Sequence, residues 1–162
     1  MISRYTYIIL ISLLLPLIGY SQNATVQGNV SMPSLIDLEV TYPNNMQIGF
    51  EDLEEFAHGK EYRNCINLSV KSNCPWVVSV KSGNNAFKST SNVRTSVSSN
   101  IISLKPSGKS AYIPLTNSPT PLLFSDNDDV VNNYTLDLKM DTPWNAEGGQ
   151  YGLNLIFSVS AQ

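Results

Sequence analysis

A period of two in the apolar residues is what most constrains the fold of this chain. Over residues 134–140, Tyr134, Leu136, Leu138 and Met140 alternate with Thr135, Asp137 and Lys139. Over residues 151–159, Tyr151, Leu153, Leu155, Phe157 and Val159 alternate against Asn154 and Ser158. Successive side chains of a strand point to opposite faces, so each run reads as a strand with one buried face and one wet face. The same alternation joins Ala24, Val26, Gly28, Val30 and Met32, then Leu38 and Val40, then Ile66, Leu68 and Val70, then Trp76, Val78 and Val80. Shorter strands are expected at residues 101–104, 111–115 and 122–124, with Pro, Gly, Asn and Ser clustered between them. Residues 82–100 read as a long polar loop. Helical periodicity is nearly missing. Its one candidate is the acidic stretch 51–59, which Gly59 stops after one or two turns, so it reads as a decorated loop. The expected fold is an antiparallel, immunoglobulin-like β-sandwich of about 8–10 strands, with a closed barrel as the alternative.

The stretch VKSNCPWVVSVKS, residues 70–82, predicts a hairpin. Residues 62–71 and 75–81 would pair antiparallel across Ser72-Asn73-Cys74-Pro75, with Trp76 and Val78 buried and Lys71 and Lys81 exposed. The runs at 134–140 and 151–159 form the best-defined pair of strands, joined by a ten-residue loop at 141–150.

Residues 1–21 differ from the rest. Arg4 is their only charge, an apolar run at 7–18 is interrupted by Pro16, and Gly19-Tyr20-Ser21 follows. That is the order of a secretory signal peptide, and the run is shorter than the roughly 20 residues of a spanning helix. Cleavage after Ser21 would leave one β-sandwich domain at 22–162, with no further membrane span, exported to the periplasm, cell surface or medium. Without Arg4 the chain carries nine Lys and Arg against thirteen Asp and Glu, a net charge of −4 with His58 neutral. No basic run occurs, so the electrostatic footprint of a nucleic-acid binder is missing.

Chemistry-bearing motifs are sparse. Cys74 has no second cysteine two residues away, and Cys65, nine residues upstream, would lie about 30 Å off along one extended strand. Export favours pairing and that geometry opposes it, so the bond between them stays open. Two cysteines and one histidine do not suggest a zinc site, and no cofactor or metal is expected. Asp126-Asn127-Asp128-Asp129 lacks the Gly and Glu that an EF-hand loop requires. Glu51, Asp52, Glu54, Glu55 and His58 would make a hydrolase only if the fold gathered them in one cleft. The sequons at Asn23, Asn67 and Asn133 are a matter of pattern alone. The candidate recognition site is the 141–150 loop, where Trp144 offers a flat apolar face beside Asn145 and Glu147. Trp144 either presents that face or folds back to cap the core.

With Ser72-Asn73-Cys74-Pro75-Trp76 opening an inward-facing strand and Glu147-Gly148-Gly149-Gln150-Tyr151 opening the last one, residues 24–162 resemble bacterial exported β-sandwich proteins. The groups are fimbrial-subunit and spore-coat-U-like proteins and, more distantly, the WxL surface domains, although Trp76-Val77-Val78 stands where WxL domains have Trp-x-Leu. The resemblance implies a non-enzymatic structural or adhesive module of the cell envelope, pilin-like, whose partners are other envelope proteins or copies of itself met through sheet edges. It also implies a use for residues 24–32 as a strand donated to a neighbour, the alternative being pairing within their own domain. From another class, a soluble domain binding a glycan or protein ligand through the 141–150 loop is the second expectation.

Overall fold

Alternation becomes a strand only where a partner edge takes up the backbone N–H and C=O groups. A computed structural model shows which segments find one; it describes residues 27–43, 46–89, 97–126, 130–144 and 146–162. The chain divides into two units, Met1–Met32 and Pro33–Gln162. Of the first, residues 27–32 are described. They are exposed and belong to no strand, with Val30 83% and Met32 85% accessible. The strand expected over 24–32 is therefore not formed at Gly28, Val30 and Met32, although their spacing is right. Ala24, Val26 and the expected signal segment 1–21 lie outside the described residues.

The second unit is built of β1 (Ile36–Thr41), α1 (Leu53–His58), β2 (Lys60–Ser72), β3 (Trp76–Ser82), β4 (Lys88–Ser89), β5 (Ile102–Pro106), β6 (Ile113–Pro114), β7 (Thr120–Ser125), β8 (Val131–Met140), β9 (Tyr151–Gly152) and β10 (Leu155–Ala161). One sheet runs β1-β2-β8-β5-β6, a second β10-β3-β7, and β4 pairs with β9. Every pairing is antiparallel. The two larger sheets enclose one core, in which Leu68, Val70, Leu136 and Leu138 of the first face Trp76, Val78 and Val80 of the second. Trp76 is fully buried, edge-on to Tyr134 with ring centroids 5.9 Å apart.

The expected hairpin is absent. β2 pairs with β1 and β8, whereas β3 pairs with β10 and β7, so residues 72–76 carry the chain from one sheet to the other. Period-two burial is satisfied equally by two strands side by side and by two strands facing each other across a core, and the corner chooses the second. Ser72 Oγ accepts from the Cys74 N–H at 3.1 Å and donates to the Cys74 carbonyl at 2.7 Å, folding the corner on itself. The Asn73 N–H is spent on the Leu35 carbonyl, and Pro75 has no N–H to close a ladder. Lys71 is exposed as expected, but Lys81 is half-buried. In the same way β8 and β10 belong to different sheets, and the 141–150 loop crosses between layers. Both cysteines are free thiols.

The acidic stretch is a short helix rather than a loop. Asp52 caps it by accepting the Glu55 N–H at 2.7 Å, and Gly59 ends it at φ 77°. A Cβ at Gly59 would stand 2.8 Å from the Met140 carbonyl oxygen, so glycine is required there twice over.

Candidate functional site

The functional question falls on the two lateral sides of the sandwich, where the edge strands of one sheet meet those of the other. One side is sealed by the chain itself. After the β6 stub, residues 115–119 pass from the edge of the first sheet to β7 in the second. Leu115 N–H bonds the Ile102 carbonyl at 2.8 Å, and the Thr116 carbonyl accepts the Ser82 N–H at 2.7 Å. Leu115, Leu122 and Leu123 are buried in consequence.

The other side is formed by β1 and β10. Among the described residues each is the last strand of its sheet, and no ladder joins them. Register places Ile36, Leu38 and Val40 beside the buried Ser72, Val70 and Leu68, so they point inward; Phe157 and Val159 stand likewise beside Val80 and Val78. Yet Ile36, Leu38, Val40, Leu155, Phe157 and Val159 are only half-buried. Six core-facing apolar side chains therefore keep contact with water along one unpaired edge pair. β10, with the sequence LIFSVSA, contains no charge and no proline, and Ile156 is 41% exposed. Charges, prolines and bulges are the usual protection of a strand edge against pairing with another chain, and β10 has none of them. Parts of β1 and β10 lie within 8 Å, Cα to Cα. Two strand spacings need about 9.5 Å, so a strand entering between them would widen this side slightly.

The loop candidates fare differently. Trp144 is 69% exposed and does not cap the core; its ring meets Phe56 edge-on at 5.3 Å, and Phe56 in turn meets Phe50 at 5.2 Å. Glu147 is exposed and its carbonyl accepts from the Tyr151 hydroxyl at 2.7 Å. Asn145 lies outside the described residues, as do Asn127, Asp128 and Asp129. The acids of α1 do not converge into a cleft. Asp52 is the cap, Glu51 and Glu55 both hold Lys60 at 2.9 and 2.8 Å, and His58 Nδ1 lies 2.9 Å from the Glu54 carbonyl oxygen. The hydrogen bond from Lys60 lowers the Glu55 carboxyl below its ordinary range.

Sequence reasoning missed a polar knot on the outer face of the first sheet. β2 bulges between Tyr62 and Ile66, with Asn64 at φ 50°. The bulge aims the Asn64 N–H at Asp137 Oδ1, 2.9 Å away, and Ser107 Oγ donates to the same oxygen at 2.6 Å. Lys105 lies 3.7 Å from the other carboxylate oxygen and 3.3 Å from Glu61, which also takes the Tyr112 hydroxyl. Burial pushes the Asp137 carboxyl up, but Ser107, Asn64 and Lys105 outweigh it and hold the group below its ordinary value. Burial, and then Glu61, push the Tyr112 phenol up. These groups satisfy one another, which describes a fastening of the 107–112 loop onto the sheet rather than an open reaction centre. The alternation rule assigned Asp137 only to a wet face; the bulge that brings Asn64 onto it left no mark in the pattern.

No family model and no curated protein matches the sequence. Among solved structures, the chain is similar to a subunit in the structure of a chaperone-usher pilus, at TM-score 0.44 and 11% identity over 91% of this chain and 99% of that one. It is also similar to the P pilus rod subunit PapA, at TM-score 0.41 and 14% identity over 85% of this chain and all of that one.

Proposed function

We propose that the protein is an exported, non-enzymatic structural module that assembles by strand addition on its open side, copy to copy, in the manner of a pilin-like subunit. The observation that carries this is the uncharged free edge of β10, facing β1 across half-buried Ile36, Leu38, Val40, Phe157 and Val159. A strand laid there would gain main-chain hydrogen bonds from the edge and burial from the side chains, the two contributions of β-augmentation. The occupant is residues 24–32 of a second copy. They alternate Ala24, Val26, Gly28, Val30 and Met32, carry no charge, and present Val30 and Met32 to solvent. Nine residues at about 3.3 Å each span about 30 Å, enough for the full length of the seven-residue β10. The segment at 1–21 supports export, so the working place of the module is the cell envelope or beyond. Size-exclusion chromatography with light scattering on the chain from residue 22 onward tests the reading. A ladder of oligomers is expected, collapsing to monomer in the Val30→Asp/Met32→Asp variant; a wild-type chain that stays monomeric at all concentrations contradicts it.

The exposure of Trp144 favours a second reading, in which the same module binds a glycan by stacking a sugar ring on Trp144 with Asn145 and Glu147 beside it. Titration of tryptophan fluorescence with glycan panels, in wild type and Trp144→Ala, decides this independently of assembly.

A further inference from the structure

The last residues before the extension are held by one side chain. Asn73 Oδ1 accepts the Leu35 N–H at 2.7 Å, Asn73 Nδ2 donates to the Pro33 carbonyl at 3.0 Å, and the Asn73 N–H donates to the Leu35 carbonyl at 3.1 Å. Both polar ends of the amide and its own backbone are thus used on a stretch of three residues. This stretch lies at the start of β1, one residue beyond the Ile36↔Ser72 pair, so the amide prolongs the ladder where the second strand has already turned its corner. Leu35 is 64% exposed, so no apolar burial holds the stretch instead. Met32 precedes a proline and is thereby biased toward extended backbone.

A copy that donates residues 24–32 to a neighbour has a competitor: the same residues folding back along its own β1 into its own open side. An intramolecular strand enjoys a high effective concentration, so a subunit meant to assemble needs something against the reversal. A tight reversal at residues 33–35 would work against the bond from Asn73 Nδ2 to the Pro33 carbonyl, with Leu35 still held beside Asn73. We propose that Asn73 is a positioning residue for assembly, clamping Pro33–Leu35 in line with β1 so that the extension is offered to another copy rather than turned into its own cleft. This rests on the strand-addition reading above.

The test compares wild type, Asn73→Ala and Asn73→Asp, each starting at residue 22, by light scattering and by uptake of a fluorescent peptide of residues 22–32. Asn73→Asp keeps the acceptor for Leu35 but loses the donor to Pro33. Asn73→Ala is expected to cut the assembled fraction at least tenfold and to leave closed monomers that refuse the peptide, with Asn73→Asp between it and wild type. A merely structural role would lower the melting temperature without producing monomers closed to peptide. Should Asn73→Ala not fold, Asn73→Asp carries the same comparison. Variants that assemble like wild type, or that yield monomers taking up peptide as wild type does, overturn the clamp. A wild type that neither assembles nor takes up the peptide overturns the strand-addition reading itself, which is a different result.

Discussion

The two lateral sides of the sandwich solve the same problem in opposite ways. On the β6–β7 side the chain crosses from sheet to sheet, and Leu115, Leu122 and Leu123 are sealed beneath it. On the β1–β10 side no ladder joins the two sheets among the described residues, and side chains that point just as firmly inward are left half-wet. The corner at residues 72–76 also links the sheets, but at an end of the strands rather than along their edges. A core left half-wet along one edge pair is the physical basis of the assembly reading.

Core truncations give the largest effects and test the contrast in its simplest form. Trp76→Ala, in the middle of the core, is expected to cost about 3–5 kcal/mol in monomer stability by denaturant titration. Leu123→Ala on the sealed side is expected to cost about 2–4 kcal/mol, whereas Phe157→Ala on the open side costs about 1–2 kcal/mol in the monomer, although phenylalanine is the larger side chain. If Phe157→Ala proves the more damaging, the open side is not open. In assembled protein the order should reverse, because Phe157 is then covered.

Acid provides a smaller effect that belongs to neither side. The Asp137 carboxyl is held below its ordinary value of about 3.9, so its contribution is fully present above that pH and is lost as pH falls through the lower folded value. Melting temperature measured from pH 6 to pH 2.5 should fall more steeply below pH 4 for wild type than for Asp137→Asn. Equal slopes would remove Asp137 from the account. The smallest stability effect is expected from Val30→Asp and Met32→Asp. Both positions are more than four-fifths exposed, so monomer stability should change by no more than about 0.5 kcal/mol while assembly is lost. A large stability loss would mean that these residues are already buried within one copy.

Much of the fold could be read from residue type and spacing. β1, β2, β3, β8 and β10 fall on segments that alternation marked, β5 and β7 on short segments marked by the turn residues around them, and Trp76 is the core tryptophan that its place in the pattern predicts. Partnership was not legible. Alternation reports which face a side chain takes, and it is silent on whether the next strand lies beside it or across the core; both expected pairings, β2 with β3 and β8 with β10, failed on that point. Residues 27–32 show the converse, an alternation in which no strand forms. The candidate site was legible only as a possibility, since an edge is a property of sheet order. Trp144 was marked by its loop, but its exposure depends on Phe56, 88 positions earlier, offering a ring edge rather than a pocket.

The central claim, that the free edge of β10 is where another copy binds, is tested most directly by amide hydrogen exchange at residues 155–161 in the monomeric Val30→Asp/Met32→Asp variant with and without a peptide of residues 22–32. In the free monomer the amides pointing away from β3 should exchange rapidly, while those bonded to β3 are protected. Addition of the peptide should protect the outward amides as well, without altering β7 on the sealed side. If the outward amides of β10 are protected in the free monomer, or stay unprotected at saturating peptide, the account is contradicted.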